Sequence, residues 1–398
     1  LQVEFAQIPL LHGGENLVSL VAQAGEDDIS AIDYIRLSYW RTYTVDEDVL
    51  KFTAQGGRNQ SLSGFSHSNI RVFDITDPHE LIEVEGKAEV EVKGKSYAVS
   101  FRVSGKGERT MLAFTGEKVK VPKGVVSNQP SFWAQSYRGY DMVMISHKNF
   151  LESLRVLKSL RESQGLSVAL IDVEDLYDEF NFGSRSPQAI KDFLSLAKTN
   201  WNKPPRYVLL MGDASWDPRD YCGLGNLDFV STKLIDTAYL ETASDDWFVD
   251  FNNDGLPDIA IGRLPVQTVD EADMIISKIL AYERSGATEK ALLIADRNKE
   301  NEFSFEEATD QVETLLPESI TVQKVYRSSY GSDSQARDDI VSAIGQGALL
   351  VNYIGHGSVE IWRGDLMTLE TAEGLVNSPL PFFVTMTCLN GLFHDPYG

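Results

Sequence analysis

Two residues of this 398-residue chain have the types and setting to do chemistry together, His356 and Cys388. His356 closes the apolar run Leu349-Leu350-Val351-Asn352-Tyr353-Ile354 and is flanked by Gly355 and Gly357. Cys388 closes Phe382-Phe383-Val384-Thr385-Met386-Thr387 and is followed by Leu389-Asn390-Gly391. Continuous apolar runs of this length read as strands buried on both faces. In a parallel α/β sheet, ligands and chemistry collect at the carboxyl ends of the strands. A thiol and an imidazole delivered there together suit a nucleophile and its base, because a thiolate forms at neutral pH only beside a cationic or dipolar neighbour. Gly357 and Gly391 allow the backbone to approach a substrate closely. The interval between the two runs has room for one crossover helix, expected over Leu369–Val376.

Three other readings of Cys388 stand beside this one. A free cysteine is commonly a small buried hydrophobe. Cys222, the second of two cysteines, could pair with it. His394 follows closely and could share a zinc ion, although no CxxC or HxxxH partner completes the soft ligand set.

The elements that must position such a pair follow from the patterning. Residues 1–135 read as an N-terminal all-β domain, a β-sandwich, with a strand over Tyr34–Tyr43, a hairpin through Glu89–Val103 and a strand at Met111–Phe114. His12, His67 and His79 have no evident partners there and read as loop or surface residues. Val121–Gln129, with Pro122, Gly124 and Asn128, reads as a linker. The rhythm then changes to strand–helix–strand. Residues 136–285 form a first α/β subdomain, with strands at Met142–Ile145, Val168–Ile171, Tyr207–Met211 and Ile259–Ile261. Its helices are an amphipathic one over Phe150–Ser163, one opened by Ser186-Pro187, and one opened by the capping box Thr268–Glu271. Residues 286–398 form a second α/β subdomain with strands at Ala291–Ala295, Thr321–Val325, Ala348–Tyr353 and Phe382–Thr387.

The motifs Gly355-His356-Gly357 and Cys388-Leu389-Asn390-Gly391 resemble those of the gingipain-like cysteine peptidases, peptidase family C25. Further segments are similar to the same family: Gly183 to Ile190, Arg206 to Ala214, and Asp254-Gly255-Leu256-Pro257-Asp258 running into Ile261-Gly262-Arg263-Leu264-Pro265. The resemblance spans about residues 140–398. It implies a caspase-like fold of two α/β subdomains with mainly parallel sheets, the second carrying a Cys–His dyad. It implies that Cys388 attacks the scissile carbonyl of a polypeptide substrate and that His356 protonates the leaving amine. The backbone N–H groups of Cys388 and Gly357 would hold the oxyanion, and Asp296, after the strand Ala291–Ala295, would orient the imidazole. It also implies secretion or a cell-surface location, and a further C-terminal segment or chain that completes the peptidase domain. Members directed to arginine or lysine use an acidic pocket residue, for which Glu300 and Glu302 are the loosely aligned candidates.

The segment Asp250 to Asp258 places oxygen-bearing side chains at Asp250, Asn252, Asp254 and Asp258, with the Leu256 carbonyl between them. Alternate ligands around Gly255 suit one hard cation, so structural Ca2+ is expected, although Ile261 stands where an EF-hand has glutamate. Asp245 and Asp246 could add ligands; a metal-free Asx turn is the other reading. Gly212 to Asp217 and His147 end other strands and read as structural.

With 36 Lys and Arg against 59 Asp and Glu, the net charge of −23 argues against a nucleic-acid partner and an anionic membrane surface. No apolar run approaches the roughly 18 residues a transmembrane helix needs. Leu1-Gln2-Val3 is neither an initiator methionine nor a signal peptide, so the chain reads as a processed or trimmed product. Two functions remain: a secreted cysteine endopeptidase, or a calcium-binding surface or secretion-machinery component with a peptidase-like domain of limited or no activity.

Overall fold

A computed structural model describes residues 17, 42–90, 96–122, 124–125, 127–135, 138–285, 289–298 and 303–397. The chain divides into two compact units, Leu1–Ser127 and Asn128–Gly398.

Among the described residues, the first unit holds seven strands: β1 (Val49–Gln55), β2 (Asn59–Phe65), β3 (Ile70–Asp74), β4 (Ile82–Val84), β5 (Gly86–Val90), β6 (Tyr97–Arg102) and β7 (Glu108–Thr115). They form two antiparallel sheets, ordered β1-β7-β3-β4 and β2-β6-β5. Met111, Ala113 and Thr115 alternate inward along β7, the period-2 signature of a strand with one buried face. Leu62, Phe65, Val72, Val99, Phe101 and Met111 share one core. The strand expected over Tyr34–Tyr43 and the turn of the hairpin at Lys93–Lys95 fall mostly or wholly outside the described residues.

Among the described residues, the second unit contains two parallel sheets. The first is built from β8 (Met142–Ser146), β9 (Val168–Asp172), β10 (Tyr207–Met211) and β13 (Ala260–Leu264), ordered β13-β10-β8-β9, with a small hairpin of β11 (Leu234–Asp236) and β12 (Glu241–Ala243) inserted. Its two faces are covered by different helices. Val143, Ile145, Val208 and Leu210 pack with α2 (Val173–Asn181) and α3 (Pro187–Asn200). Met144 and Met211 pack with α1 (Leu151–Ser163) and α4 (Val269–Arg284). Sequence-local caps start these helices: Ser186 before Pro187, and the reciprocal box of Thr268 with Glu271. α2 has no counterpart in the sequence expectations; Asp172 caps it by accepting from the Glu174 N–H.

The second sheet is built from β14 (Lys290–Ala295), β15 (Thr321–Tyr326), β16 (Leu350–Ile354) and β19 (Phe382–Met386), ordered β15-β14-β16-β19. Leu292, Ile294, Val351 and Tyr353 share a core with α6 (Asp333–Gly345), and α5 (Phe305–Thr314) packs on β14 and β16. The expected crossover helix is present but shorter: α7 covers Leu369–Glu373 rather than Leu369–Val376, and a hairpin of β17 (Gly357–Ser358) and β18 (Ile361–Trp362) precedes it. Thr368 caps α7, Gly374 ends it, and Pro379 and Pro381, lacking N–H groups, do not extend it. β19 is also not buried on both faces: Phe382 is 57% and Met386 56% exposed. It is an edge strand with β16 on one side only, so its apolar run reflects a surface that nothing covers among the described residues.

Candidate active site at the carboxyl edge of the second sheet

β16 and β19 run parallel and in step, with Ile354 opposite Met386. Two residues beyond that pair come His356 and Cys388. Neighbouring strands lie about 4.8 Å apart, so the register leads both segments to the same edge on adjacent strands, although no hydrogen bond joins the His356 ring to the Cys388 thiol among the described residues. The Gly355 N–H continues the ladder by donating to the Met386 carbonyl at 3.3 Å. The glycines are steric requirements. A Cβ on Gly355 would sit 2.5 Å from both Asp296 Cβ and Tyr353 Oη. A Cβ on Gly357 would collide with Thr387 Oγ1, so only glycine brings the backbone after His356 this close to the side chain of the residue before Cys388.

Asp296 follows β14 and is fully buried. Its hydrogen bonds run to main chain and guanidinium: Oδ2 accepts the His356 backbone N–H at 3.2 Å, and Oδ1 accepts Arg297 N–H and Arg327 Nη1, each at 2.7 Å. The imidazole is contacted instead by Phe305, edge-on at 5.1 Å, and its Nε2 is buried with no hydrogen-bond partner among the described residues. The expected carboxylate–imidazole bond is therefore replaced by a carboxylate–backbone bond. Arg327, just after β15, joins Asp296 to Asp333, and its hydrogen bond lowers the Asp333 pKa. The Asp333 hydrogen bond is also the largest influence raising the Arg327 pKa. Tyr353 Oη donates to the His356 carbonyl at 2.7 Å.

Cys388 is exposed and unpaired, and so is Cys222, which removes the disulfide reading. The backbone turns sharply after it: Leu389 has φ 60° and the Asn390 N–H donates to the Cys388 carbonyl at 2.9 Å. His394 does not share a metal with Cys388. It is buried, and its carbonyl accepts from Trp216 N–H at 3.0 Å in the loop after β10. Among the described residues no group of three His, Cys, Asp or Glu gathers as a metal cluster.

Arg327 on Asp296, Tyr353 and Phe305 on His356, and Trp362 on Asn390 were not singled out in the sequence. Arg327 carries the signal that revealed the others, a polar residue one step past a strand of the same sheet. Glu300 and Glu302 lie outside the described residues.

The acidic loop closes on itself. Asp250 accepts from the N–H groups of Asp254 (3.1 Å) and Gly255 (3.0 Å), Asn252 Oδ1 from Asp254 N–H (2.9 Å), and Asp258 from Phe251 N–H (2.9 Å). The donor set is hard oxygen, the chemistry calcium takes, and the Asn252 amide lies 3.1 Å from an Asp254 oxygen. Asp245 is committed elsewhere, in a bidentate pair with Arg263 at 2.7 and 2.8 Å. His147 is buried against Phe150 and Phe229, its Nδ1 accepting from Asn149 N–H, and burial lowers its pKa. Asp213 is likewise internal, bonded to Gln267 at 2.8 Å, and burial raises its pKa. No helix of the described residues is long and apolar enough to cross a membrane.

Comparison with known proteins agrees with this architecture. Gingipain R2 of Porphyromonas gingivalis is 24% identical over 259 residues, covering 63% of this chain and 32% of that protein. Gingipain R1 of the same organism is 24% identical over 259 residues, covering 63% of this chain and 24% of that protein. The chain thus spans about a third or less of the length of these relatives. The crystal structure of the Arg-specific cysteine proteinase gingipain R superposes with a TM-score of 0.51 at 23% identity, over 67% of this chain and 58% of that one, a likeness of fold. Residues 135–398 match the family model of peptidase family C25, and the chain belongs to that family.

Proposed function

We propose that this chain is a secreted or cell-surface cysteine endopeptidase that cleaves polypeptides through Cys388 and His356. The observation that supports the reading is the in-step register of Ile354 with Met386, two positions before His356 and Cys388. The Cys388 thiolate attacks the scissile carbonyl, and the tetrahedral oxyanion is met by the backbone N–H groups of Cys388 and Gly357. The His356 imidazolium gives its proton to the leaving amine, which departs and leaves an acyl-thioester. His356 then takes a proton from water, whose oxygen displaces the thiolate and releases the acid. Asp296 serves this cycle by fixing the His356 backbone rather than its ring. The β-sheet unit contributes no catalytic group in this reading. The free edge of β19, with Phe382 and Met386 exposed, supports a further segment or chain that pairs there and completes the domain.

The loop Asp250 to Asp258 is proposed to take a structural calcium ion through Asp250, Asn252, Asp254, the Leu256 carbonyl and Asp258. That loop also favours the second reading, a calcium-binding surface or secretion component whose peptidase domain has limited activity.

A thiol-reactive peptide probe separates the two. Labelling confined to Cys388, abolished in His356→Ala and absent from Cys388→Ala, is the expected result for a peptidase. Labelling of Cys222 instead, or equal labelling in His356→Ala, would overturn it.

A further inference from the structure

We propose that Asn390 is a positioning residue whose side-chain amide clamps the loop carrying Cys388 to the hairpin that follows His356, and so sets the thiol–imidazole geometry. The proposal rests on the peptidase reading above. Asn390 Nδ2 donates to the Ser358 carbonyl and lies 3.5 Å from the Val359 carbonyl. Its Oδ1 accepts Trp362 Nε1–H at 2.9 Å. Ser358 and Trp362 belong to the paired strands β17 and β18, so the amide bridges both arms of one hairpin. Trp362 is buried and stacks on Tyr353, with ring centroids 4.2 Å apart and planes 9° from parallel. Tyr353 Oη in turn donates to the His356 carbonyl at 2.7 Å. A continuous set of contacts therefore runs from Asn390, two residues after the thiol, to the residue that bears the imidazole.

The nucleophile loop needs such a constraint. β19 has a neighbour on one side only, Cys388 is exposed, and Leu389 occupies the left-handed region, where an L side chain crowds its own carbonyl. Neither a second strand nor backbone preference holds the loop in place. An amide suits the position because it presents an acceptor to the indole N–H and donors to two carbonyls. Aspartate would keep the acceptor and set negative charge against those carbonyls. Alanine would keep neither.

The test uses the full chain in a Cys222→Ser background, with Asn390→Ala, Asn390→Asp and Trp362→Phe. The rate of Cys388 alkylation by iodoacetamide is compared with that of His356→Ala, with kcat and KM on a peptide and the unfolding midpoint. A thiol with an imidazole beside it reacts faster than the same thiol without one. Asn390→Ala and Asn390→Asp are expected to lose that advantage and to lower kcat about 10- to 100-fold, as a misplacement near 1 Å does, with KM nearly unchanged. Trp362→Phe keeps an aromatic ring against Tyr353 and should show a smaller loss. Native-like rates in folded Asn390 variants would overturn the clamp, as would a native-like Trp362→Phe rate if the Asn390 variants fail to fold. A native protein no faster than His356→Ala overturns the dyad itself, a different failure from a native advantage that the variants retain.

Discussion

Asp296 grips His356 by its main chain, Oδ2 taking the backbone N–H at 3.2 Å while Oδ1 takes Arg327 Nη1 at 2.7 Å. Asp296→Ala is therefore expected to act first on stability. It leaves a largely buried guanidinium with Asp333 as its remaining acidic partner, and breaking such a pair costs about 3 kcal/mol. Denaturant unfolding beside peptide turnover checks this. A large fall in kcat at unchanged stability would mean that the carboxylate acts on the imidazole ring.

The contact between Gly357 and Thr387 gives a rescue experiment. Gly357→Ala should destabilise by about 1–3 kcal/mol through overpacking and separate the two strand ends. Thr387→Ala removes both atoms of the threonine that a Cβ would strike, leaving the Ile361 carbonyl at 3.1 Å. The double variant should regain much of the lost stability and probe labelling. Additive losses in the double variant would show that the oxygen is not the obstacle.

Calcium in the acidic loop would stabilise by mass action, about 2.7 kcal/mol at a hundredfold excess over Kd. Adding chelator to the protein should lower the unfolding midpoint, and Asp254→Ala should remove the response. A midpoint indifferent to chelator and to added calcium would leave the loop as an Asx turn.

Acid should weaken the docking of the segment behind the nucleophile. Burial holds His394 below its ordinary value of 6.5, against the opposing pull of Asp395, Glu241 and Asp245. The unfolded chain thus binds a proton that the folded chain refuses. Its stabilising share is present above pH 6.5 and is lost as pH falls through the lower folded value. His147, also lowered by burial, adds to the same slope. The unfolding midpoint should drop as pH falls below 6.5, and His394→Gln should flatten that dependence. An unchanged slope in His394→Gln would assign it elsewhere.

How far the sequence could be read depended on whether the signal was local. Strand runs ending in His356, Cys388 and Asp296 were visible because apolar patterning marks strands and an abrupt polar residue marks their ends. Caps at Ser186 and Thr268 were visible because their partners lie within one turn. The partner of Asp296 was not, since Arg327 is brought to it by the pairing of β14 with β15 and no local pattern announces that pair. The apolar content of β19 gave a buried strand where the structure has an edge, because hydrophobicity records that a surface needs cover without saying which chain supplies it. The hairpin of β17 and β18 was missed for a similar reason: two-residue strands have no period to detect.

The residues just past the nucleophile rest, within the second unit, on Arg263 of β13 and on Trp216 in the loop after β10. Trp216 donates to the His394 carbonyl at 3.0 Å and faces Tyr397, and Arg263 lies over Phe393 at 4.9 Å. The indole also meets Asp395 at 3.4 Å across 179 positions of chain. The loop that carries the thiol is therefore tethered on its far side to a sheet that does not bear it, and a change in the loop after β10 has a direct path of contacts to the nucleophile's neighbours.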